Sequence, residues 1–293
     1  MANCILAYPN FCDADPSYAT VAVSGGQWEP DLPLTNILTK RLARRARSVN
    51  AALTSTKFWV DLGTPRDVRV VAIPFLTASR DARLRVRGFT TKNEAATPAG
   101  DSGWSDLYPV VYPFGSLYFG HPAFWDGRMT AEDAAVFRMP YYAVFDAPVI
   151  ARYWLIEIDD TGSSLGYVEV PRIFIAPGWQ PSLNLIYGAT QVYEPRTTVV
   201  ESWGGAEYFD VQEGRRVARF GFDYLPEDEA LTWAGDMQRR LGVDGQLFFI
   251  FDPDDTVHRH RRSFLARMRT LSPLEYVLFR RNTATFELAE VIG

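Results

Sequence analysis

Three β-type segments follow one another between residues 58 and 88, and they limit the fold more than any other feature of the chain. Phe58-Trp59-Val60-Asp61-Leu62-Gly63 reads as a strand that ends in a turn at Gly63-Thr64-Pro65. Residues 68–73, Val-Arg-Val-Val-Ala-Ile, read as a second and buried strand. Residues 82–88 alternate strictly, which puts Leu84 and Val86 on a core face and Arg83, Arg85 and Arg87 on the opposite one. A period of two does not suit a helix, so this part of the chain is expected to form a sheet.

Elsewhere the pattern is uneven. The opening residues are irregular, with turn signals at 13–16 and 24–26. Between about 91 and 145 the chain is rich in Gly, Pro, Tyr, Phe and Trp, a stretch best read as an insertion of ordered loops. Within it Thr130 is placed to cap a short helical turn over 130–135. Strands return at 152–159, 167–170 and 172–176. Pro177-Gly178-Trp179-Gln180-Pro181 then interrupts every periodicity and marks the expected boundary. Beyond it, strands are expected near 197–202, 206–210, 215–224, 246–251, 264–271, 274–280 and 283–292. One helix is expected over 226–241. Pro226 suits its first position, Glu227, Asp228 and Glu229 complement the N-terminal dipole, and Arg239 and Arg240 the C-terminal end. Leu231, Ala234, Met237 (or Gln238) and Leu241 form its apolar face, and Gly242 stops it.

A chain of 293 residues exceeds the usual single-domain size, and 47% hydrophobic with 14% aromatic residues is ample for two cores. The net charge of −5 does not favour nucleic-acid binding. The run Arg41, Arg44, Arg45 and Arg47 is read as a solvated face or a set of carboxylate partners rather than a phosphate-binding stripe. No apolar stretch approaches a membrane span, and Met1 to Leu6 lacks the basic and apolar regions of a signal peptide, so synthesis and folding in a cytoplasm are expected. Cys4 and Cys12 are too few for a disulfide-built domain, although a bridge between them is geometrically possible.

Signals for catalysis are weak. Gly100-Asp101-Ser102-Gly103-Trp104 has the look of a serine-protease loop, but serine chemistry needs a base and an orienting acid, and the only histidines are His121, His258 and His260. Asp252, Asp254 and Asp255 with His258 and His260 have metal-compatible side chains without a metal-loop spacing, and a solvated loop between two core strands is the expected arrangement. The acid pairs Asp159-Asp160 and Glu132-Asp133 lie in no obvious cleft, and there is no phosphate-cradling glycine loop. No catalytic, cofactor-binding or metal-binding residue is therefore expected. The aromatic insertion is the remaining candidate. Its rings, with Trp104, Tyr112, Tyr118 and Trp125 as the candidate contact residues, fit a protein interface, packing under the insertion, or sugar stacking.

The strand and turn at 58–68, followed by Val70-Val71-Ala72-Ile73, resemble the discoidin (F5/8 type C, galactose-binding-like) pattern, in which a Trp-containing strand enters Asp-Leu-Gly. Residues 151–158, 166–170 and 172–174 resemble that domain's closing strands, and Arg47-Ser48 before the first match also fits. The resemblance implies a jelly-roll β-sandwich over 1–178. The second half, from the helix 226–241 through the apolar run at 247–251 to the terminal Phe286-Glu287-Leu288-Ala289-Glu290-Val291-Ile292, is similar to minor tail and distal tail (baseplate hub) proteins of long-tailed bacteriophages. Three lysines against 27 arginines fit a GC-rich bacterial or phage genome.

The expected fold is thus mostly β: an N-terminal jelly roll, and a C-terminal β-sandwich over 181–293 with one flanking α-helix. The resemblance implies a structural, non-enzymatic virion component of a siphophage tail tip. It would form a ring of its own copies, a hexamer by family analogy, and meet tail tube, tape measure and baseplate hub proteins. The alternative is a carbohydrate-binding module of a host-adhesion device that recognises a cell-surface glycan.

Overall fold

The computed structural model describes residues 2–13, 20–136 and 139–292. The turn expected at 13–16 falls outside them except for Asp13. The chain is mostly β and built on sandwich packing, with one substantial helix, as the pattern of strands and turns implies.

The strands that matter here are β1 (Ile5–Ala7), β2 (Phe58–Ile73), β3 (Arg83–Phe89), β4 (Tyr141–Asp159), β5 (Phe174–Ala176), β6 (Thr190–Glu194), β7 (Thr198–Glu201), β8 (Glu207–Asp210), β9 (Arg215–Pro226), β10 (Gln246–Ile250), β11 (Ser263–Thr270), β12 (Leu274–Leu278) and β13 (Arg281–Glu290). The first sheet runs β5-β2-β4-β3, all antiparallel, with short strands completing its edges. The second runs β1-β10-β11-β13-β9-β6, with β12 paired to the start of β13. A detached ladder, β7 with β8, extends the β6–β9 hairpin outward.

The expected turn at Gly63 is instead a bulge. β2 runs on through it, and its pairing with β4 skips from Asp61↔Tyr153 to Arg66↔Ala151. Asp61 explains the shape. Its carboxylate accepts from the Gly63 amide at 2.8 Å and from Arg152 at 2.7 and 2.9 Å, which holds its pKa below the ordinary aspartate value, chiefly through the arginine. Gly63 sits at φ +75°, a conformation that favours glycine. The alternation in β3 is as read: Leu84 and Val86 are buried, and Arg83, Arg85 and Arg87 pair with Asp159, Asp101 and Glu157.

The first strand of the chain lies in the second sheet, where β1 pairs with β10: Ile5 faces Ile250 and Ala7 faces Phe248. The segment at the expected boundary, 177–181, is tied into the fold. Trp179 exchanges backbone hydrogen bonds with Leu6 at 2.9 Å and is buried against Phe222, while Gln180 accepts from Arg69 and donates to the Asn3 carbonyl. The physical reason is that the second sheet is apolar on both faces. Leu247 and Phe249 of β10 point to the helix side with Phe220, Met237 and Phe286. Phe248 and Ile250, with Ile5, Ala7 and Leu265, pack on Val70, Ala72, Tyr142, Phe174 and Ala176 of the first sheet. Two sheets meeting through such a layer bury it only by staying together.

The helix arises where expected, with an internal change of pitch. An α segment Glu227–Glu229 leads into a π segment Ala230–Gly235 and an α segment Asp236–Leu241. Ala230, Ala234 and Met237 are buried, whereas Leu231 is 44% exposed and so leaves the expected apolar face. The buried face is the one set by Ala230, Ala234 and Met237, and Leu231, one residue on from Ala230, lies about 100° round the helix from it. In the insertion, helix Ala131–Val136 forms with Thr130 capping the Asp133 amide at 3.1 Å. Cys4 and Cys12 are free and buried in separate cores.

One buried ion pair joins β9 and β13 of the second sheet. The Arg216 guanidinium grips the Glu290 carboxylate, which also accepts from the Arg216 amide at 3.0 Å, and Nη1 reaches the His260 carbonyl at 2.6 Å. Both side chains are about nine-tenths buried. Glu290→Gln strands the arginine's charge, so a stability loss of about 3 kcal/mol is expected. The double replacement Arg216→Met with Glu290→Leu should lose less than Glu290→Gln in urea melts. A larger loss for the double variant would contradict this reading of the pair.

Candidate binding site in the aromatic insertion

The insertion is anchored before it projects. Leu107, Tyr108, Val111 and Met129 are buried in the first core, and Leu107 donates to the Ala82 carbonyl at 2.9 Å. A narrow neck follows: Val111 and Tyr112 both donate to the Gly127 carbonyl at 2.8 Å, and Val110 bridges Arg128. Gly127 has φ +62°, and a Cβ there would lie 2.7 Å from the Tyr112 carbonyl oxygen, so glycine closes this neck. Three ion pairs hold the loop in place, Arg80 with Asp126, Arg128 with Asp106 at 2.6 Å and Arg128 with Asp81 at 3.7 Å.

Beyond the neck the loop shows its aromatic rings to solvent. Phe119, Phe124 and Trp125 meet edge to face at centroid distances of 5.5, 6.2 and 5.2 Å. Tyr112 and Tyr118 approach His121 at 5.8 and 5.7 Å. His121 Nδ1 accepts from the Ala123 amide at 3.1 Å, which leaves any ring proton on Nε2. Trp125 is 84% exposed, and Phe114, Tyr118 and Phe119 are as open or nearly so. Tyr112, Phe114, Phe124, Trp125 and Asp126 line a cavity of about 260 Å³. An open aromatic wall with one carboxylate at its rim can stack an apolar ring face while a hydroxyl donates to the acid.

Of the four residues singled out from sequence, Tyr112 and Trp125 share this cavity. Tyr118 stands beside it on His121. Trp104 lies elsewhere, on the loop between Gly100–Asp101 and Ser105–Asp106, with the Arg83 guanidinium 5.9 Å over its ring. Tyr108, Tyr141 and Tyr142, from the same aromatic-rich stretch, are core residues. Phe114 also lines the cavity, and Asp126 with its Arg80 anchor completes the site without having been singled out, because their roles depend on where the neck closes.

The other candidates resolve into structural contacts. Ser102 accepts from the Val86 amide at 2.9 Å and donates to the Gly103 carbonyl at 2.9 Å, while Asp101 is held by Arg85. Among the described residues no three His, Cys, Asp or Glu side chains gather as a metal site. The solvated loop expected at 252–260 is only partly so: Asp252 and His260 are buried, and 259–262 form a short helix. Burial, then the Arg261, Arg216 and His258 charges, lowers the His260 pKa from 6.5 to about 4. The unfolded chain therefore binds a proton that the native one refuses between those values. The contribution of neutral His260 is fully present above pH 6.5 and is lost as the pH falls toward 4, on the order of 3 kcal/mol in all. Urea melts at pH 7.5 and 4.5 should show a smaller acid loss for His260→Gln than for the native protein. Equal losses would count against it.

Arg45 and Arg47 share Glu169, at 3.1 and 2.5 Å, so this part of the arginine run serves a carboxylate as expected. Among the described residues no helix is long and apolar enough to cross a membrane.

No family model and no curated protein matches the chain. Solved structures resemble part of it. A family 32 carbohydrate-binding module from Clostridium perfringens NanJ, in complex with galactose, has 12% identity and a TM-score of 0.33 over 53% of this chain and 92% of that one. A Streptococcus pneumoniae fucose binding module has 12% identity and a TM-score of 0.35 over 58% and 95%. The CBM32-1 module of a family 31 glycoside hydrolase from Clostridium perfringens has 10% identity and a TM-score of 0.35 over 53% and 93%. Likeness at this level carries nothing about ligand or residues.

Proposed function

We propose that the protein is a non-catalytic binding scaffold whose aromatic insertion recognises a carbohydrate. The observation that carries this reading is the open cavity walled by Trp125, Phe114 and Tyr112 with Asp126 at its rim, on a loop pinned by Gly127 and Arg80. Aromatic side chains have few rotatable bonds and so lose little entropy on binding, and their faces suit the C–H side of a pyranose. A cavity of about 260 Å³ is below the range of drug-sized pockets, which favours one sugar ring at a chain end over a long oligosaccharide groove. A glycan array of the whole protein should return a small set of related sugars. An array with no hits, repeated at millimolar free sugar, would remove the reading.

A second reading is favoured by the apolar hairpins that project from the second sheet: a structural virion component of a siphophage tail tip, assembled as a ring and meeting tail tube, tape measure and hub proteins. Here the jelly-roll half would face outward. Electron microscopy of the protein mixed with tail tube protein would show end-caps on tubes. Tubes that stay bare at micromolar protein would exclude that role.

A further inference from the structure

The second sheet carries two exposed hairpins of opposite character at its two ends. β7 and β8 continue outward from the end of the sheet where Glu194 faces Arg215. The β12–β13 turn, Phe279-Arg280, lies at the other end, where Pro226 faces Arg281. β9 spans the distance between them, roughly 40 Å for a strand of this length.

Among the described residues nothing covers the β7–β8 hairpin. All eight of its strand residues are exposed, among them Val199, Val200, Tyr208 and Phe209, and Trp203 in its turn is fully exposed. A two-stranded ladder alone is marginal in water. This one is weakened further, because Glu201 and Glu207 face each other directly. Residues 196–214 contain four acids and one arginine. Among the described residues Glu201, Glu207, Asp210 and Glu213 join no ion pair, although most arginines of the chain do.

The β12–β13 tip is its complement. Tyr276, Val277, Leu278 and Phe279 are exposed, and Arg280 and Arg281 flank them with one acid, Glu275, set back on the strand. The Arg280 guanidinium lies 5.3 Å over the Phe279 ring, Arg281 reaches the Tyr224 carbonyl at 3.1 Å, and among the described residues no carboxylate pairs with either. Arg280 also sits at φ +56°, where glycine or asparagine would be the ordinary choice for a two-residue turn.

We infer that the acidic β7–β8 hairpin of one copy docks on the basic β12–β13 tip of a second copy of this chain. The two surfaces match in apolar content and oppose in charge. They lie at opposite ends of one sheet, so the contact is heterologous: each copy offers a socket at one end and a plug at the other. The docked hairpin gains the apolar cover it lacks, and the Glu201–Glu207 repulsion is relieved by Arg280 and Arg281. The inference stands apart from what the aromatic loop binds.

Mass photometry and sedimentation velocity of the full chain test it. Species larger than the monomer should grow with concentration and shrink as salt rises from 50 to about 500 mM. The pair Glu201→Lys with Glu207→Lys should weaken assembly about tenfold or more, and Arg280→Glu with Arg281→Glu by a similar factor. Mixing the two charge-reversed proteins should restore assembly, a result that misfolding cannot produce; unchanged melting temperatures check the fold directly. A monomer at every concentration, or reversed variants that assemble no better together than apart, would overturn the inference.

Discussion

Replacing Phe248 by alanine is expected to destabilise the protein by about 3–5 kcal/mol and to loosen both sheets at once. Phe248 is fully buried, with ring centroids 5.7 Å from Tyr142 and 6.4 Å from Phe174, both in strands of the first sheet. Its neighbours on β10, Leu247 and Phe249, belong to the helix side, so the substitution leaves that core in place. The cavity opens in the layer between the sheets, where Ile5, Ile250, Val70 and Ala176 cannot collapse without moving two ladders together. Hydrogen exchange should therefore quicken in β2 and β5 as well as in β10 and β11, with a single unfolding transition. Loss of protection confined to the second sheet would show that the halves are independent domains in contact.

The second large effect concerns the aromatic loop. Trp125 is 84% exposed and touches Phe119 and Phe124 only by ring edges, so removing it costs the fold little. For a ligand stacked on its face the same ring is the anchor. Trp125→Ala should cost at least about 2 kcal/mol of binding, roughly thirtyfold. Tyr112 differs, since it packs against the first core and its change would mix stability with binding.

Much of the fold was legible. β3 alternates without exception, and its register follows from burying Leu84 and Val86 on one side. The helix declared itself through Pro226, its acids and Gly242, although its buried face passes through Ala230 rather than Leu231, and the π turn over Ala230–Gly235 leaves no periodic mark in six residues. The second sheet's double burial was harder to read. Leu247 to Phe251 is continuous in apolar character, and such a run says that both faces are covered without naming the cover. Nor could Ile5-Leu6-Ala7 announce a partner more than 240 residues away, because three apolar residues fit any sheet edge. In the site, composition marked the insertion as aromatic. Which rings face solvent depends on the Gly127 neck and the Arg80–Asp126 pair, both tertiary events, so Trp125 and Tyr112 were reachable and Trp104 was drawn in by composition alone.

The projecting hairpins and the aromatic loop occupy different parts of the chain, which allows one protein to assemble through one half and recognise through the other. The account stands most directly on the loop. Isothermal titration of the whole protein with an array-selected sugar, beside Trp125→Ala at matched folding, measures it. The account predicts saturable binding by the native protein, a loss of about thirtyfold or more in the variant, and unchanged melting. Binding of equal strength in both proteins would place recognition elsewhere and contradict it.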